Sequence, residues 1–131
     1  MHNYLILHGH FYQPPREDPW TGIVHRQPSA APFHDWNKRI TKECYAANCV
    51  SRLIDSNGLI TDIVNTYEFL SFNFGPTLLQ WMETEAPRVY ERILHADKTS
   101  IDKNNGHGNA IAQVYNHVIL PLADQEDAET Q

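Results

Sequence analysis

The chain has 131 residues, a formal net charge of −6 and 41% hydrophobic residues, which suits a folded soluble domain and is too apolar for a disordered segment. Its Lys and Arg residues are scattered, whereas a nucleic-acid surface would need them clustered. Neither a run of about eighteen apolar residues nor a signal-peptide pattern at the start is present, so we expect no membrane partner and a cytoplasmic location.

The first half of the chain predicts a strand, a long loop and a helix. The apolar residues 4–7, bounded by Gly9, predict a first buried strand over residues 3–8. Residues 10–35 combine prolines with aromatic and histidine residues, which predicts a long functional loop. Asp35 is a suitable N-cap for a helix that ends before Asn57-Gly58. The apolar stripe predicted for that helix comprises Trp36, Ile40, Cys44, Ala47, Val50 and Ile54.

The second half predicts two further strands and two further helices. Residues 69–74 are rich in aromatic residues and predict a strand, after which Pro76 and Pro87 each occupy the first turn of a helix. The polar residues 97–106 contain Asn-Asn-Gly and predict a turn. Residues 109–113 predict a third strand, followed by an apolar run over 118–122 and a polar helical run over 124–131.

The order strand, helix, strand, helix, strand predicts an α/β fold with parallel strands and crossover helices. Three such strands complete neither a sheet nor a barrel, because one face and both edges stay uncovered. We therefore expect the chain to be a truncated portion of a larger barrel. Cys44 and Cys49 lie five positions apart on the predicted helix and face different ways, so we interpret them as free, buried thiols.

His8-Gly9-His10 follows the first predicted strand and is the sharpest local feature of the sequence. Alternate residues of a strand project to the same face, and side chains at the carboxyl ends of barrel strands line active sites, so both imidazoles predict a binding or metal site. The simpler interpretation is that one imidazole caps the loop and the other is solvated. Nearby, Gln13 precedes a rigid proline pair, and Trp20 offers a flat face that could stack on a sugar ring or simply pack in the loop.

His117 follows the third predicted strand and, if the strands are parallel, reaches the same end of the sheet as His8 and His10. A catalytic zinc site needs three protein ligands and an open position, with carboxylate or His partners. The sequence has no HExxH pattern and no further carboxylate at ligand spacing, so we predict neither a metal nor a cofactor. Glu83 and Glu85 are interpreted as a solvated helix face, which leaves no convincing catalytic pair.

Three motifs together resemble glycoside hydrolase family 57. Residues 8–14 (His-Gly-His-Phe-Tyr-Gln-Pro) resemble its opening His-x-His-Gln-Pro signature, with Phe11 and Tyr12 inserted before Gln13. Residues 72–79 resemble its second strand and helix, and residues 108–113 (Gly-Asn-Ala-Ile-Ala-Gln) occupy its second motif. The motifs occur in the expected order within residues 3–122, and the chain looks most similar to a poorly characterised bacterial subgroup of large members.

This resemblance implies an α-glucan-active enzyme, such as an amylase, branching enzyme or 4-α-glucanotransferase, with a retaining mechanism on a (β/α)7 barrel. The catalytic Glu and Asp of that family come from later strands, so residues 1–131 would be an incomplete N-terminal segment that is inactive by itself. The residues implied to bind an α-glucan or oligosaccharide are His8, His10, Gln13 and His117, to which the loop residue Trp20 is added. Ile111 stands where many members carry a Glu, which leaves substrate choice open.

Two interpretations of other classes remain. A His-x-His pair after the first strand is also how amidohydrolase-like and deacetylase-like barrels hold a metal, so the chain could belong to a metal-dependent hydrolase. It could also be a small, non-catalytic carbohydrate-binding module. Metal analysis distinguishes the first alternative, and cooperative unfolding combined with maltooligosaccharide binding would favour the second.

Overall fold

A computed structural model of the chain describes residues 3–131. Its strands and helices are β1 (His8–Phe11), α1 (Trp36–Ile40), a π-helical turn (Thr41–Tyr45), α2 (Ala46–Asn48), β2 (Ser51–Ile54), β3 (Ile60–Val64), β4 (Ser71–Phe74), α3 (Pro76–Glu85), α4 (Pro87–Lys103) and α5 (Gln125–Thr130). Short 3-10 turns lie at Pro28–Ala30, Thr66–Glu68 and Leu120–Leu122. The element content confirms the predicted α/β class.

The sheet that positions the histidines pairs β1 with β4 in parallel, with His8 opposite Ser71 and Phe11 opposite Phe74. A third chain segment joins β4 through a single parallel bridge between Phe72 and Ala110. The parallel arrangement predicted from the element order is therefore confirmed. The third strand predicted over residues 109–113 is reduced to this bridge.

The first strand lies later in the chain than the apolar run predicted. It comprises His8–Phe11 instead of residues 3–8. The side chains of residues 4–7 are between 62% and 87% exposed. An apolar run forms a buried strand only where other elements cover it, and in the described part of the chain no element covers this run.

The helix that follows Asp35 starts where the sequence predicts but ends earlier. The Asp35 carboxylate accepts a hydrogen bond from the Lys38 backbone N–H at 2.9 Å, which confirms the N-cap. The helical path ends at Asn48, and Val50 and Ile54 therefore do not belong to its apolar stripe. The predicted extension to Ile54 was wrong because Val50 and Ile54 lie four positions apart, a spacing that places two residues on one face of a helix and equally on one face of a strand.

Ser51–Ile54 instead pairs antiparallel with Ile60–Val64, and the Asn57-Gly58 turn joins these two strands. Within the turn, the Asp55 carboxylate accepts the backbone N–H groups of Asn57 and Leu59, each at 2.9 Å, and Gly58 adopts a φ of 81°. Asn-Gly between β-branched runs is a hairpin signal, which the helix prediction overlooked.

The two helices predicted at Pro76 and Pro87 are confirmed as α3 and α4. The predicted turn over residues 97–106 was too long, because α4 continues to Lys103 and only Asn105 and Gly106 adopt positive φ. The polar residues of 97–103 lie on the helix because its buried positions, Ile93, Ala96 and Ser100, keep helical spacing.

The face of the sheet opposite the histidines carries the aromatic core. The rings of Phe11 and Phe74 stack with centroids 4.8 Å apart, and Tyr67 meets Phe11 edge-on at 5.4 Å. Burial raises the pKa of the Tyr67 hydroxyl well above its ordinary value. The helices complete this core with Leu78, Trp81, Met82, Ile93 and Ala96.

Both cysteines are free, as predicted. Cys49 is buried in the aromatic core, and burial raises the pKa of its thiol to about 11. Cys44 is only half-buried, so the expectation of two buried thiols holds in full for Cys49 alone.

The accessible surface of the chain is large for its mass. It amounts to 9500 Å², whereas a compact monomer of 15.1 kDa exposes about 7,000 Å². Part of the excess is apolar and lies on residues 4–7 and on both hairpin strands, where Leu53, Ile60 and Ile63 are exposed. These exposed surfaces therefore have the apolar composition that is typical of a protein interior.

Candidate functional site

The histidine pair of β1 and two polar residues of β4 lie side by side because of the strand register. His8 is opposite Ser71 and His10 is opposite Asn73, so all four side chains project from one face. The intervening Gly9 is needed because a Cβ there would lie 2.7 Å from Phe11 Cζ on the core side. The register thus gathers polar groups on one face and aromatic groups on the other.

Asn73 connects the two imidazoles of β1. Its amide oxygen lies 3.1 Å from His8 Nε2 and 3.1 Å from His10 Nδ1. Because an amide oxygen only accepts, both of these ring nitrogens carry a proton in this arrangement. His8 Nδ1 then accepts from the Ser71 hydroxyl at 2.7 Å. Asn73 is only 7% exposed, so its hydrogen bonds contact the imidazoles on their buried side.

His117 lies in the segment that follows the bridge at Ala110, and it contacts this group. Its Nε2 lies 3.0 Å from His10 Nε2. Since His10 carries its proton on Nδ1, His117 donates in this contact. The ring of Tyr12 packs against His117 with centroids 4.4 Å apart, and its hydroxyl accepts the His117 backbone N–H at 3.3 Å. The structure thus brings together the three histidines, but the predicted position of His8 and His10 after the first strand was wrong, because β1 begins at His8 and both imidazoles project from within the strand.

We call this group the histidine cluster and define it as His8, His10, Tyr12, Ser71, Asn73, Gln113 and His117. Gln113 accepts a hydrogen bond from the Asn73 amide N–H, and its own buried Nε2 has no hydrogen-bond partner among the described residues. A buried unpaired N–H costs ~1–3 kcal/mol. The sequence-based prediction missed Asn73 and Gln113, although a lone Asn between two Phe residues on a strand is itself a signal of a polar face.

Gln13 lies next to the histidine cluster in sequence but contacts different residues. Its amide donates to the Tyr45 hydroxyl at 3.4 Å and accepts from the Arg16 guanidinium at 2.7 Å. The same guanidinium donates to Asn37 at 3.1 Å. Gln13 therefore connects the start of the loop to the helical segment that contains Asn37 and Tyr45.

Trp20 lies at the outer tip of the loop and is 92% exposed. Its backbone N–H donates to the Asp18 carboxylate at 3.0 Å, and that carboxylate also accepts the Thr21 N–H at 2.9 Å. These hydrogen bonds lower the pKa of Asp18 and shape the tip. The structure therefore does not bring Trp20 into contact with the histidine cluster.

A separate cleft of about 770 Å³ lies between the loop and α3. On the loop side, the buried Asp35 accepts from His34 Nδ1 at 2.9 Å. On the helix side, Glu85 pairs with Lys38 at 3.5 Å. We call this cavity the loop cleft; its lining residues are Pro15, Glu17, Asp18, Pro19, Gly22, Ile23, Val24, His34, Asp35, Lys38, Thr77, Gln80, Trp81, Thr84 and Glu85.

The placement of metal-ligating side chains bears on whether the histidines could hold an ion. Within residues 3–131, no group of three or more His, Cys, Asp or Glu residues is placed to hold a metal ion. In the histidine cluster the imidazoles hydrogen-bond to one another and to amide and hydroxyl groups. This set of hydrogen-bond donors and acceptors suits a ligand rich in hydroxyl groups.

Among the helices of residues 3–131, none is both long and apolar enough to span a membrane. Comparison of the chain with known proteins gives no match to a family model, to a curated protein or to a solved structure. Functional inference therefore depends on the motifs and on the geometry of the histidine cluster.

Proposed function

We propose that this chain is part of a retaining α-glucan-active glycoside hydrolase or glucanotransferase of the family 57 type, and that the histidine cluster binds a sugar ring of its substrate. The observation that carries the proposal is the grouping of His8, His10 and His117 on the polar face of the β1–β4 pair, where Asn73 contacts both imidazoles of β1 and His117 contacts His10.

The chemistry of the histidine cluster supports this proposal. Imidazole nitrogens and amides can each donate to or accept from a sugar hydroxyl, and Tyr12 adds an aromatic face. The contact between His10 and His117 is made by exposed side chains, so a ligand hydroxyl can replace either imidazole as the partner of the other. Binding would then exchange one hydrogen bond for two.

We also propose that the fold is a truncated (β/α)7 barrel. Its support is the parallel pairing of β1 with β4, the adjoining bridge at Ala110, and the exposed apolar residues 4–7 beside β1. In a closed barrel a neighbouring strand pairs with each edge, and outer helices cover the apolar faces. The excess of exposed surface is consistent with such missing neighbours.

The proposal assigns no catalytic residue to this chain. A retaining glycosidase needs two carboxyl groups about 5–5.5 Å apart across the scissile bond. The groups that hydrogen-bond to one another in the histidine cluster are imidazoles, amides and hydroxyls. Residues 1–131 would therefore contribute to substrate binding and would not hydrolyse a glucan by themselves.

The test is a titration of the protein with maltotetraose, followed by NMR and calorimetry. We expect binding that shifts the imidazole signals, and we expect His10→Ala to lower the affinity at least tenfold, or about 1.4 kcal/mol. His107→Ala is the matched control, because His107 is exposed on the turn after α4. An unchanged affinity in His10→Ala, or equal binding of cellotetraose, would contradict the proposal.

Trp20 enters the proposal as a stacking residue that a bound glucan chain meets at the loop tip. Because its side chain is almost fully exposed, Trp20→Ala should leave the melting temperature unchanged. A lower maltotetraose affinity in this variant would support stacking. A lower melting temperature with normal binding would instead show that Trp20 packs within the loop.

The two other function classes predict different results in metal analysis and in oligosaccharide binding. Stoichiometric zinc or manganese bound through His8 and His10 would replace the sugar-binding assignment by that of a metal-dependent hydrolase. Maltooligosaccharide binding by a monomer that unfolds cooperatively, with no dependence on further barrel strands, would favour a carbohydrate-binding module.

A further inference from the structure

We propose that His10 and His117 together chelate a copper(II) ion through their Nε2 atoms. Such a site needs no glucan, so it does not rest on the proposed function. It also differs from a hydrolase metal site built on the His8–His10 pair of β1, because its second ligand comes from the segment after the bridge at Ala110. The ion would link two segments that are more than a hundred positions apart, as the |i−j| of 107 between the two histidines shows.

The distance between the two Nε2 atoms suits a shared metal ion. They lie 3.0 Å apart, and with imidazole–metal bonds of about 2.0–2.1 Å this separation gives an angle of about 91–97° at the ion. That angle is typical of neighbouring positions in square-planar or tetragonal coordination, which Cu²⁺ and Ni²⁺ adopt. Tetrahedral Zn²⁺ would need the two nitrogens about 3.3–3.4 Å apart. Copper(II) is the divalent first-row ion that nitrogen ligands bind most strongly.

A hydrogen bond prepares His10 Nε2 for coordination. His10 is opposite Asn73 in the strand register, and its Nδ1–H donates to the Asn73 amide oxygen at 3.1 Å. A metal-binding imidazole almost always donates its other N–H in this way, which fixes the tautomer and raises the basicity of the ligating nitrogen. Asn73 is buried, so this support lies on the inner side of the ring and leaves Nε2 directed outward.

Tyr12 holds the second imidazole in position. Its hydroxyl accepts the His117 backbone N–H at 3.3 Å, and the two rings pack with centroids 4.4 Å apart. To coordinate the ion, His117 carries its proton on Nδ1 in place of Nε2, which changes the tautomer and leaves the charge unchanged. One hydrogen bond between His10 and His117 is thereby exchanged for two coordinate bonds. Both side chains are exposed, so water can supply the remaining ligands.

His8 is not a ligand of this site, because neighbouring side chains engage both of its ring nitrogens. Nδ1 accepts from the Ser71 hydroxyl at 2.7 Å, and Nε2 donates to the Asn73 amide oxygen at 3.1 Å. The site therefore has two protein ligands, in agreement with the absence from residues 3–131 of any larger group of metal-ligating side chains. The net charge of −6 favours the approach of a cation.

The experiment is a titration with copper(II) in a non-coordinating buffer, followed by calorimetry and electron paramagnetic resonance. Every protein carries His2→Ala, because a free N-terminal amine beside a histidine at position 2 binds copper by itself. We expect one bound ion per chain, with two imidazole nitrogens in its coordination plane. His10→Ala and His117→Ala should each lower the copper affinity at least about tenfold. His107→Ala, on the exposed turn after α4, is the matched control and should leave the affinity unchanged.

Three outcomes would overturn the inference. The first is an unchanged copper affinity in either His10→Ala or His117→Ala. The second is a resonance spectrum with only one imidazole nitrogen. The third is an affinity that falls as far in His8→Ala as in His10→Ala, which would assign the ion to the pair on β1. None of these measurements involves maltotetraose, so the inference and the proposed function fail independently. Circular dichroism of each variant verifies that the fold is retained.

Discussion

Replacement of Gly75 by Ala tests how the sheet and the histidine cluster are joined. Gly75 lies between β4 and α3, is buried, and donates its backbone N–H to the Phe11 carbonyl at 2.9 Å. Its φ of −59° is accessible to any residue, so Ala introduces no backbone strain. An added Cβ would nevertheless lie 2.8 Å from Tyr12 Cε2 and still closer to Cδ2. The substitution therefore acts almost entirely by displacing the Tyr12 ring.

The magnitude follows from two opposing contributions. The entropy lost by the unfolded chain on Gly→Ala replacement stabilises by ~0.4–1 kcal/mol. Overpacking against the Tyr12 ring costs ~1–3 kcal/mol. We expect the free energy of unfolding to fall by about 1–2 kcal/mol and the Tyr12–His117 ring contact to be lost. Denaturant titration measures the first effect, and the NMR signals of the His117 imidazole report the second.

A double-mutant cycle with Tyr12→Ala isolates the steric cause. With the Tyr12 ring removed, the methyl group introduced by Gly75→Ala no longer meets the three atoms nearest to it, so this substitution should become neutral or stabilising by a few tenths of a kcal/mol. Equal stability of Gly75→Ala and the unmodified protein, with His117 signals unchanged, would refute the reasoning. A destabilisation that persists in the Tyr12→Ala background would show that the backbone, not the ring, is responsible.

Two further predictions concern groups with shifted pKa values. Because burial raises the pKa of the Cys49 thiol to about 11, Cys49 should resist alkylation at neutral pH, whereas the half-buried Cys44 should react first. Mass spectrometry after timed labelling measures the alkylation rate of each thiol. Faster labelling of Cys49 than of Cys44 would contradict the burial of Cys49. Backbone hydrogen bonds from Leu59 and Asn57 lower the pKa of Asp55 in the folded state. The stability that the Asp55 carboxylate contributes is therefore present above the pKa of Asp55 in the unfolded chain, and it is lost as the pH falls through the lower pKa of the folded state. Asp55→Asn should therefore reduce the acid dependence of the unfolding free energy below about pH 4, and identical pH profiles for the two proteins would contradict this linkage.

Local signals predicted much of the fold because they depend on neighbouring residues. Pro76 and Pro87 begin helices since their missing N–H groups are unused in a first turn, and Asp35 caps α1 with its own side chain. The boundaries of β1 and the fate of residues 51–54 were predicted wrongly. The extent of β1 depends on hydrogen bonds with β4, about sixty positions away in the sequence, and the spacing of apolar residues does not contain that information. Residues 51–54 instead form a local hairpin, whose Asn57-Gly58 signal was overlooked.

The candidate site shows the same division. Alternation along a strand was enough to predict that His8 and His10 share a face, and the parallel element order was enough to predict that His117 lies near them. Their expected position after the first strand was wrong, because β1 begins at His8. Asn73 and Gln113 were missed because their roles arise from the pairing of β1 with β4 and from the bridge at Ala110. Gln13 and Trp20 lie beside these residues in sequence, yet tertiary contacts place Gln13 on Arg16 and leave Trp20 at the loop tip.

The α/β class, the helix starts at Asp35, Pro76 and Pro87 and the choice of the histidines as site residues were predictable from the amino-acid sequence, because each follows from short-range geometry and residue chemistry. The strand register, the amide that links the two imidazoles of β1 and the position of the loop cleft next to α3 required the folded structure. These features join residues about sixty or more positions apart. Long-range pairing is chosen by the packing of the whole chain, so a local pattern leaves it open.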